Sequence, residues 1–331
     1  MLGWSGSGSI RQNCSTGSAP ELTRVPVETR TVPFSEQAIA EAARLVRAGQ
    51  PVAVPTETVY GLAADATNAE AVARIYDAKG RPSFNPLIVH VSSLERARRI
   101  ATFGPLSLEL AKAHWPGPLT LVAALREDSS IASLVTAGLP TIAIRVPAHR
   151  AIRALMHAVD RPLAAPSANA SGSISPTRAG HVLRSLGGRI PLVIDDGPCP
   201  GGLESTIVAE SGGKLRLLRR GPVEIAGAEQ SEAGKIEAPG QMASHYAPAK
   251  PLRLGATHAS DDEYLIGFGA IAGDSSLSPS SDLVEAASRL FDLLHEADCS
   301  AKPKIAVAPV PGEGLGAAIN DRLERAAAPR Q

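Results

Sequence analysis

Between Phe34 and about Val223, short apolar runs alternate with longer stretches whose apolar residues recur every three or four positions, a pattern that predicts an α/β domain. Ser35 is placed to cap a helix that runs to Arg47 and stops at Gly49. Residues 51–54 then read as a buried strand entering a Thr-Glu-Thr turn. Asn68 is placed to cap a second helix over 69–78, whose Ala71, Val72, Ile75 and Ala78 fall on one face. Further strands are expected over 87–91, 119–124, 141–146, 163–165, 192–194, 205–208 and 215–218, and helices over 93–101, 148–158 and 177–186. So many strands with so few helices predict a large twisted mixed sheet rather than a simple doubly wound one.

The texture changes over 226–251. A Gly-Ala-Glu-Gln-Ser-Glu-Ala-Gly-Lys stretch reads as linker, yet it leads into His245 and Tyr246 between Pro239 and Pro248, where a plain tether needs neither. Beyond it, strand, helix, strand and helix patterns over 264–268, 283–294, 305–308 and 315–328 predict a small second α/β, Rossmann-like domain. Residues 1–20 are rich in Gly, Ser and Thr without the apolar centre of a signal peptide, so 1–30 is expected to be a disordered extension or a start codon set too early. The expected layout is therefore an extension over 1–30, a catalytic domain over 31–225, a linker or lid over 226–251 and a C-terminal domain over 252–331.

Composition narrows the function. The 331 residues carry 33 basic and 33 acidic side chains, so no global field draws the protein to nucleic acid or membrane, and any polyanion must be met by local charge. Cys14, Cys199 and Cys299 are too scattered for a zinc site or a disulfide framework, which makes a reducing cytoplasm the expected location. No apolar run approaches the ~20 residues of a membrane span.

Polar residues cluster where strands should end. Lys79 and Arg81 stand two apart just past a helix, where two cations suit adjacent phosphate oxygens or merely favour the helix dipole. Asn85 and His90 follow astride a strand. Ser167, Asn169 and Gly172 suit an anion-binding nest, or a turn that bonds its own backbone. Thr141 and Arg145, four apart on a strand, share a face; an ordinary surface ion pair is the plainer reading. Ser205 and Arg219 add a hydroxyl and a cation at further strand ends. Together these describe one crevice for a phosphorylated ligand and a small carboxylate. The chain holds no GxxxxGK[ST] phosphate loop and no GxSxG elbow, Gly312-Glu313-Gly314-Leu315-Gly316 has the wrong spacing for a dinucleotide fingerprint, and His114-Trp115-Pro116 reads as core packing at a rigid turn.

Pro-Thr-Glu-Thr-Val-Tyr-Gly-Leu from Pro55, the Lys79-x-Arg81 pair, Asn-Pro-Leu-Ile-x-His from Asn85, Trp-Pro-Gly-Pro-Leu-Thr from Trp115, Ser-x-Asn at Ser167 and Ser-Thr-Ile at Ser205 resemble the YrdC-domain family. With the His-Tyr-Ala-Pro linker and second domain, the chain resembles the family's long form, the L-threonylcarbamoyladenylate synthases, from about Val32 to Ala327. The resemblance implies a twisted-sheet fold with a concave, positively charged face, and formation of threonylcarbamoyl-AMP and pyrophosphate from L-threonine, bicarbonate and ATP. It implies a downstream tRNA threonylcarbamoyl-transfer machinery, and tRNA contact becomes conceivable. It places threonine on Thr58, His90, Arg145, Ser205 and the backbone at Ala165. It places ATP on Lys79, Arg81, Asn85, Thr141, Ser167, Ser175 and Arg219, with Asn169 supporting the turn and Tyr246 closing over the nucleotide. Lys79 and Arg81 are the expected catalytic pair. Without a coherent metal-ligand cluster, Mg²⁺ is expected on the ATP phosphates rather than in a protein cage. The linker reads Gln241-Met242-Ala243-Ser244 where the family often has basic residues. An RNA-binding module of the same fold without synthase activity, and a family member acting on another carbamate or amine, are the rival readings.

Overall fold

The computed structural model describes residues 27–230, 237–238 and 244–329. The first domain opens with β1 (Arg30–Pro33), α1 (Glu36–Arg47), β2 (Val52–Pro55), β3 (Tyr60–Asp65), α2 (Ala69–Lys79), β4 (Ile88–His90), α3 (Leu94–Arg98) and β5 (Ala101–Thr102). It continues through α4 (Pro105–His114), β6 (Leu119–Leu125), α5 (Ser133–Thr136), β7 (Thr141–Arg145), α6 (Arg150–Val159), β8 (Leu163–Ala164) and α7 (Ala179–Leu186). It closes with β9 (Leu192–Asp195), β10 (Thr206–Ser211), β11 (Lys214–Arg219) and β12 (Glu229–Gln230). Among the described residues these twelve strands form one mixed sheet, ordered β1-β9-β2-β3-β8-β4-β7-β6-β10-β11-β12 with β5 on β6.

The two N-caps fall where the sequence places them. The Ser35 hydroxyl accepts from Ala38 N, Asn68 Oδ1 accepts from the amides of Glu70 and Ala71, and Gly80 ends α2 in a left-handed conformation at φ 58°. Strand alternation sends Ala53, Tyr60, Leu62 and Ala64 into a core under α2 and α7, and Val52, Val54 and Ala63 into another under α1 and α6. Three elements escape the pattern. β1 is short and mostly exposed, yet it pairs in parallel with β9, so Arg30 belongs to the domain rather than to the expected extension, whose residues 1–26 lie outside the described residues. β3 is written in Gly and Ala, which carry little strand preference, and α4 starts at a Pro without a side-chain cap. The helix expected over 93–101 is shorter, because the chain turns at Arg99 to form β5.

The second domain is a parallel sheet of β13 (Leu252–Leu254), β14 (Glu263–Gly267), β15 (Ser275–Ser276) and β16 (Lys304–Val307), covered by α8 (Leu283–Cys299) and α9 (Leu315–Ala327). Its core is shared: Val59, Ile174 and Leu203 of the first domain, with Tyr246 of the linker, pack among Phe291, Leu290, Ile319 and Leu323. Gly202, at φ 70°, lets the chains meet this closely, since a Cβ there would fall 2.3 Å from Ala287 O of α8.

Candidate active site

The site is assembled at the ends of neighbouring strands. β4 and β7 run in parallel with His90 beside Arg145, and the antiparallel β6 sets Thr120 opposite Arg145, so all three share one face of the sheet. The β2–β3 turn supplies Thr58: Thr56 Oγ1 accepts from the amides of Thr58 (3.1 Å) and Val59 (3.2 Å), fixing the turn locally. Ser205 enters just before β10 and shares a 2.7 Å hydrogen bond with Thr120.

Arg145 organises the centre. Its guanidinium donates to Thr58 Oγ1 at 2.9 Å, to Glu57 Oε1 at 2.5 Å and to Gly117 O at 3.3 Å. Burial raises the Glu57 pKa, but the Arg145 charge and hydrogen bond outweigh it and hold the carboxyl below its ordinary value. His90 is pushed down to about 3, chiefly by burial and then by Arg145, so its imidazole is neutral at pH 7, and its Nδ1 finds no partner among the described residues.

On the other side, Arg219 Nε and Nη2 both donate to Ser205 O, at 3.0 and 2.9 Å. Arg81 lies just beyond the end of α2 and donates to the carbonyls of Asn85 (3.2 Å) and Pro86 (2.9 Å). Burial lowers the pKa of both, that of Arg81 to about 10, which leaves each protonated near neutrality. The linker forms one wall. His245 and Tyr246 are buried, Tyr246 holds a strained backbone at φ 64°, and its hydroxyl has no partner among the described residues. Ala247 N donates to Gly172 O at 2.8 Å and His245 N to Arg325 O at 3.2 Å, pinning the pair between the domains.

One cavity of about 50 Å³ is lined by Thr58, Arg81, His90, Arg145, Ala165, Ser167, Ser205, Arg219 and Tyr246, which brings nine of the sequence-predicted residues together. The other five stand elsewhere. Lys79 is beneath the wall, its Nζ donating to Ser167 O (2.6 Å) and Asn169 O (2.5 Å), so it braces the loop rather than facing the cavity. Burial first, then Arg81, lowers its pKa well below the ordinary lysine value. Asn169 Nδ2 donates to Ser173 O at 2.7 Å, the turn-supporting role expected of it. Asn85 is buried behind Arg81, and Ser175 donates to Glu204 Oε1 at 2.5 Å. Thr141 shares the face of Arg145 but stands at the far end of β7, about 13 Å along the strand. A roomier cleft of about 280 Å³, near Val91 and Met156, contains none of these residues, and its Arg96 and Asp160 pair with each other.

Two residues, one lining the pocket and one behind it, escaped the sequence reading. Glu204 lines the cavity directly before the Ser-Thr-Ile motif, but nothing in its sequence context says that its carboxylate is buried there. Arg322 of α9 grips Glu204 through Nε at 2.8 Å, and its signal was present: a cation within the otherwise apolar stripe of Ala318, Ile319, Leu323 and Ala326. Among the described residues no three His, Cys, Asp or Glu side chains gather as a metal site, and Glu57 and Glu204 are both committed to arginines. No helix among the described residues is long and apolar enough to cross a membrane.

The model of the Sua5, YciO and YrdC proteins, described as telomere recombination, matches residues 44–221. The chain belongs to this family. A second family model, the threonylcarbamoyl-AMP synthase C-terminal domain, matches 215–328, so both domains of the long form are present. A threonylcarbamoyl-AMP synthase of Bacillus subtilis (strain 168) is 37% identical, over 88% of this chain and 93% of that protein. One of Halorhodospira halophila is 37% identical over 94% of its own length but only 55% of this chain. The crystal structure of Pyrococcus abyssi Sua5 complexed with L-threonine superposes with a TM-score of 0.81 at 36% identity, covering 91% of this chain and 97% of that one.

Proposed function

We propose that this pocket makes threonylcarbamoyl-AMP and pyrophosphate from L-threonine, bicarbonate and ATP. The observation that carries the reading is the meeting of Thr58, neutral His90, Arg145 and Ser205 with Arg81 and Arg219 in one buried cavity. The relatives' name and the threonine bound to Pyrococcus abyssi Sua5 support it. Two of the five N–H donors of Arg145 remain for a carboxylate once its three protein partners are satisfied. The threonine amine condenses with bicarbonate to a carbamate, releasing water. A carbamate oxygen then attacks the α-phosphorus of ATP and pyrophosphate departs.

No protein nucleophile is required. The residues here position the reactants, offset the charge on the transferring phosphoryl group through Arg81 and Arg219, and keep water from the carbamate. Glu57 and Glu204 are held by arginines, so Mg²⁺ would arrive on the ATP phosphates and add positive charge there. A nucleotide site usually needs several hundred Å³. The His245–Tyr246 wall must therefore withdraw to admit substrates, and its return seals them in. The product would pass to a tRNA threonylcarbamoyl-transfer step in the cytoplasm.

A role restricted to RNA binding fits the charges poorly. Arg81, Arg145, Arg219 and Lys79 are each at most 8% exposed, beyond reach of a polynucleotide backbone. Pyrophosphate release by the purified protein with ATP, Mg²⁺ and bicarbonate, with and without L-threonine, tests the reading. Release that requires threonine and bicarbonate together is expected; threonine-independent release, or none from folded protein, overturns it.

A further inference from the structure

The last helix of the second domain reaches the pocket wall. Arg322 is fully buried in α9, where its neighbours on the inward stripe are apolar. Its Nε donates to Glu204 Oε2 at 2.8 Å, Nη2 to Arg220 O at 2.8 Å and Nη1 to Asp321 Oδ2 at 2.5 Å. The guanidinium carbon lies 5.2 Å from the centre of the Tyr246 ring. Glu204 in turn uses its second oxygen to accept from Ser175 at 2.5 Å. Both oxygens of this pocket carboxylate are thus held by Ser175 and Arg322, and neither is bonded to Arg219.

Resting on the synthase reading above, we propose that Arg322 is a positioning residue of the active site. By holding Glu204 it prevents a buried carboxylate from competing with the nucleotide's phosphates for the pocket arginines. The geometry makes the competition concrete. Glu204 immediately precedes Ser205, whose carbonyl and hydroxyl both accept from Arg219, so the carboxylate and that guanidinium flank one residue. A carboxylate deprived of Arg322 has two courses. It turns to Arg219 and consumes the charge meant for a phosphate, or it stays as an uncompensated negative wall. Either course weakens ATP binding.

The same contact fixes the linker, since Arg322 stacks beneath Tyr246 while Arg325, one turn on, accepts from His245 N through its carbonyl. The second domain therefore completes the electrostatics of a pocket formed by the first domain and the linker. Arg322 does not line the pocket itself but reaches it through Glu204 and Tyr246.

The test compares R322M, E204Q/R322M, R322K and R178A in the full chain. KM for ATP and kcat come from pyrophosphate release, affinity for a non-hydrolysable ATP analogue from titration, and stability from thermal unfolding. R322M should raise KM and the analogue's Kd at least tenfold with a smaller change in kcat. The double variant, which keeps an amide for Ser175 but removes the unpaired charge, should recover most of that loss, and R322K part of it.

R178A is the structural control. It breaks the Arg178–Asp292 pair (2.7 and 2.8 Å) across the same domain interface, and should lower Tm while leaving KM unchanged. KM within twofold of wild type in R322M, no recovery in the double variant, or an equal rise in R178A would overturn the inference. If R322M does not fold, R322K against E204Q/R322M carries the same comparison: nucleotide affinity that is normal in R322K, or no better than R322K's in the double variant, overturns it. Wild-type protein without threonine-dependent turnover would sink the synthase reading alone, because the titration still reports what Arg322 does to nucleotide affinity.

Discussion

Arg145 is the residue on which the proposed threonine subsite turns, because one planar fork satisfies Glu57, Thr58 and Gly117 and still has donors to offer. A lysine keeps the charge but cannot reproduce that geometry. Arg145→Lys should raise KM for threonine tenfold or more, a loss of about 1.4 kcal/mol, with KM for ATP much less affected; steady-state kinetics varying each substrate separates the two. The buried histidines make a second residue-level expectation. His90 and His295 are both held down to about 3, in each case mainly by burial, aided by Arg145 for His90 and by His181 for His295. Unfolded, each takes a proton below about 6.5. Their contribution to stability is therefore complete above pH 6.5 and is lost as pH falls toward 3, at about 1.4 kcal/mol per pH unit for each histidine. Burial lowers the His245 pKa as well, so denaturant unfolding at pH 7.5, 6 and 5 should show this decline, and His295→Asn should remove only part of it; a level profile contradicts it. Single residues were readable where a chemical type stood at an expected strand end, as with Thr58, His90, Arg145 and Ser205. Glu204 was not, since a lone carboxylate reveals neither its burial nor its partner.

Elements were legible where periodicity and caps agreed, as in α1, α2, α6 and the strands from β6 to β11. They were obscure where tertiary pairing overrides propensity. β3 is buried throughout, yet Gly61 and three alanines or leucines give it no strand signature; β2 and β8 hold it in place from either side. Face alternation could place Thr141 and Arg145 on the same side but not say which end of β7 meets the pocket. The junction between Leu203 and α8 carries a sharper expectation. Gly202 is left-handed, and an added Cβ would meet Ala287 O at 2.3 Å and Ser288 Cα at 2.5 Å, both helix backbone that cannot step aside. Gly202→Ala should cost at least about 1–3 kcal/mol from the backbone conformation alone, with the steric displacement of α8 added. Thermal unfolding should show a Tm lowered by several degrees. An unchanged Tm would mean that the domains do not approach as closely as this contact requires.

At the scale of the whole molecule, what the sequence leaves unread is how closely the domains are joined. The sequence predicts two domains joined by a linker that doubles as a lid, and says nothing of a shared core. In the structure Val59, Ile174 and Leu203 lie in a common core with α8 and α9, and Arg322, Arg178 and His295 reach across to Glu204, Asp292 and the Ser175 carbonyl. Interfaces of this kind leave no marker in a linear pattern, because each residue reads as ordinary core or as an ordinary charge until its partner is known. A chain ending near residue 226 would expose those three apolar residues and leave Glu204 with Ser175 but without its arginine partner, near the arginines proposed to meet phosphate. Its first domain keeps its own two cores under α1, α2, α6 and α7 and should retain its secondary structure. Turnover should fall by a factor of a hundred or more, since the fragment also lacks the Tyr246 wall, and the full chain should unfold in one cooperative step above the fragment's Tm. Calorimetry on both chains, read beside pyrophosphate release, distinguishes the outcomes. Two separate transitions in the full chain, or full activity in the fragment, would reduce the linker to a tether and remove the second domain from the chemistry.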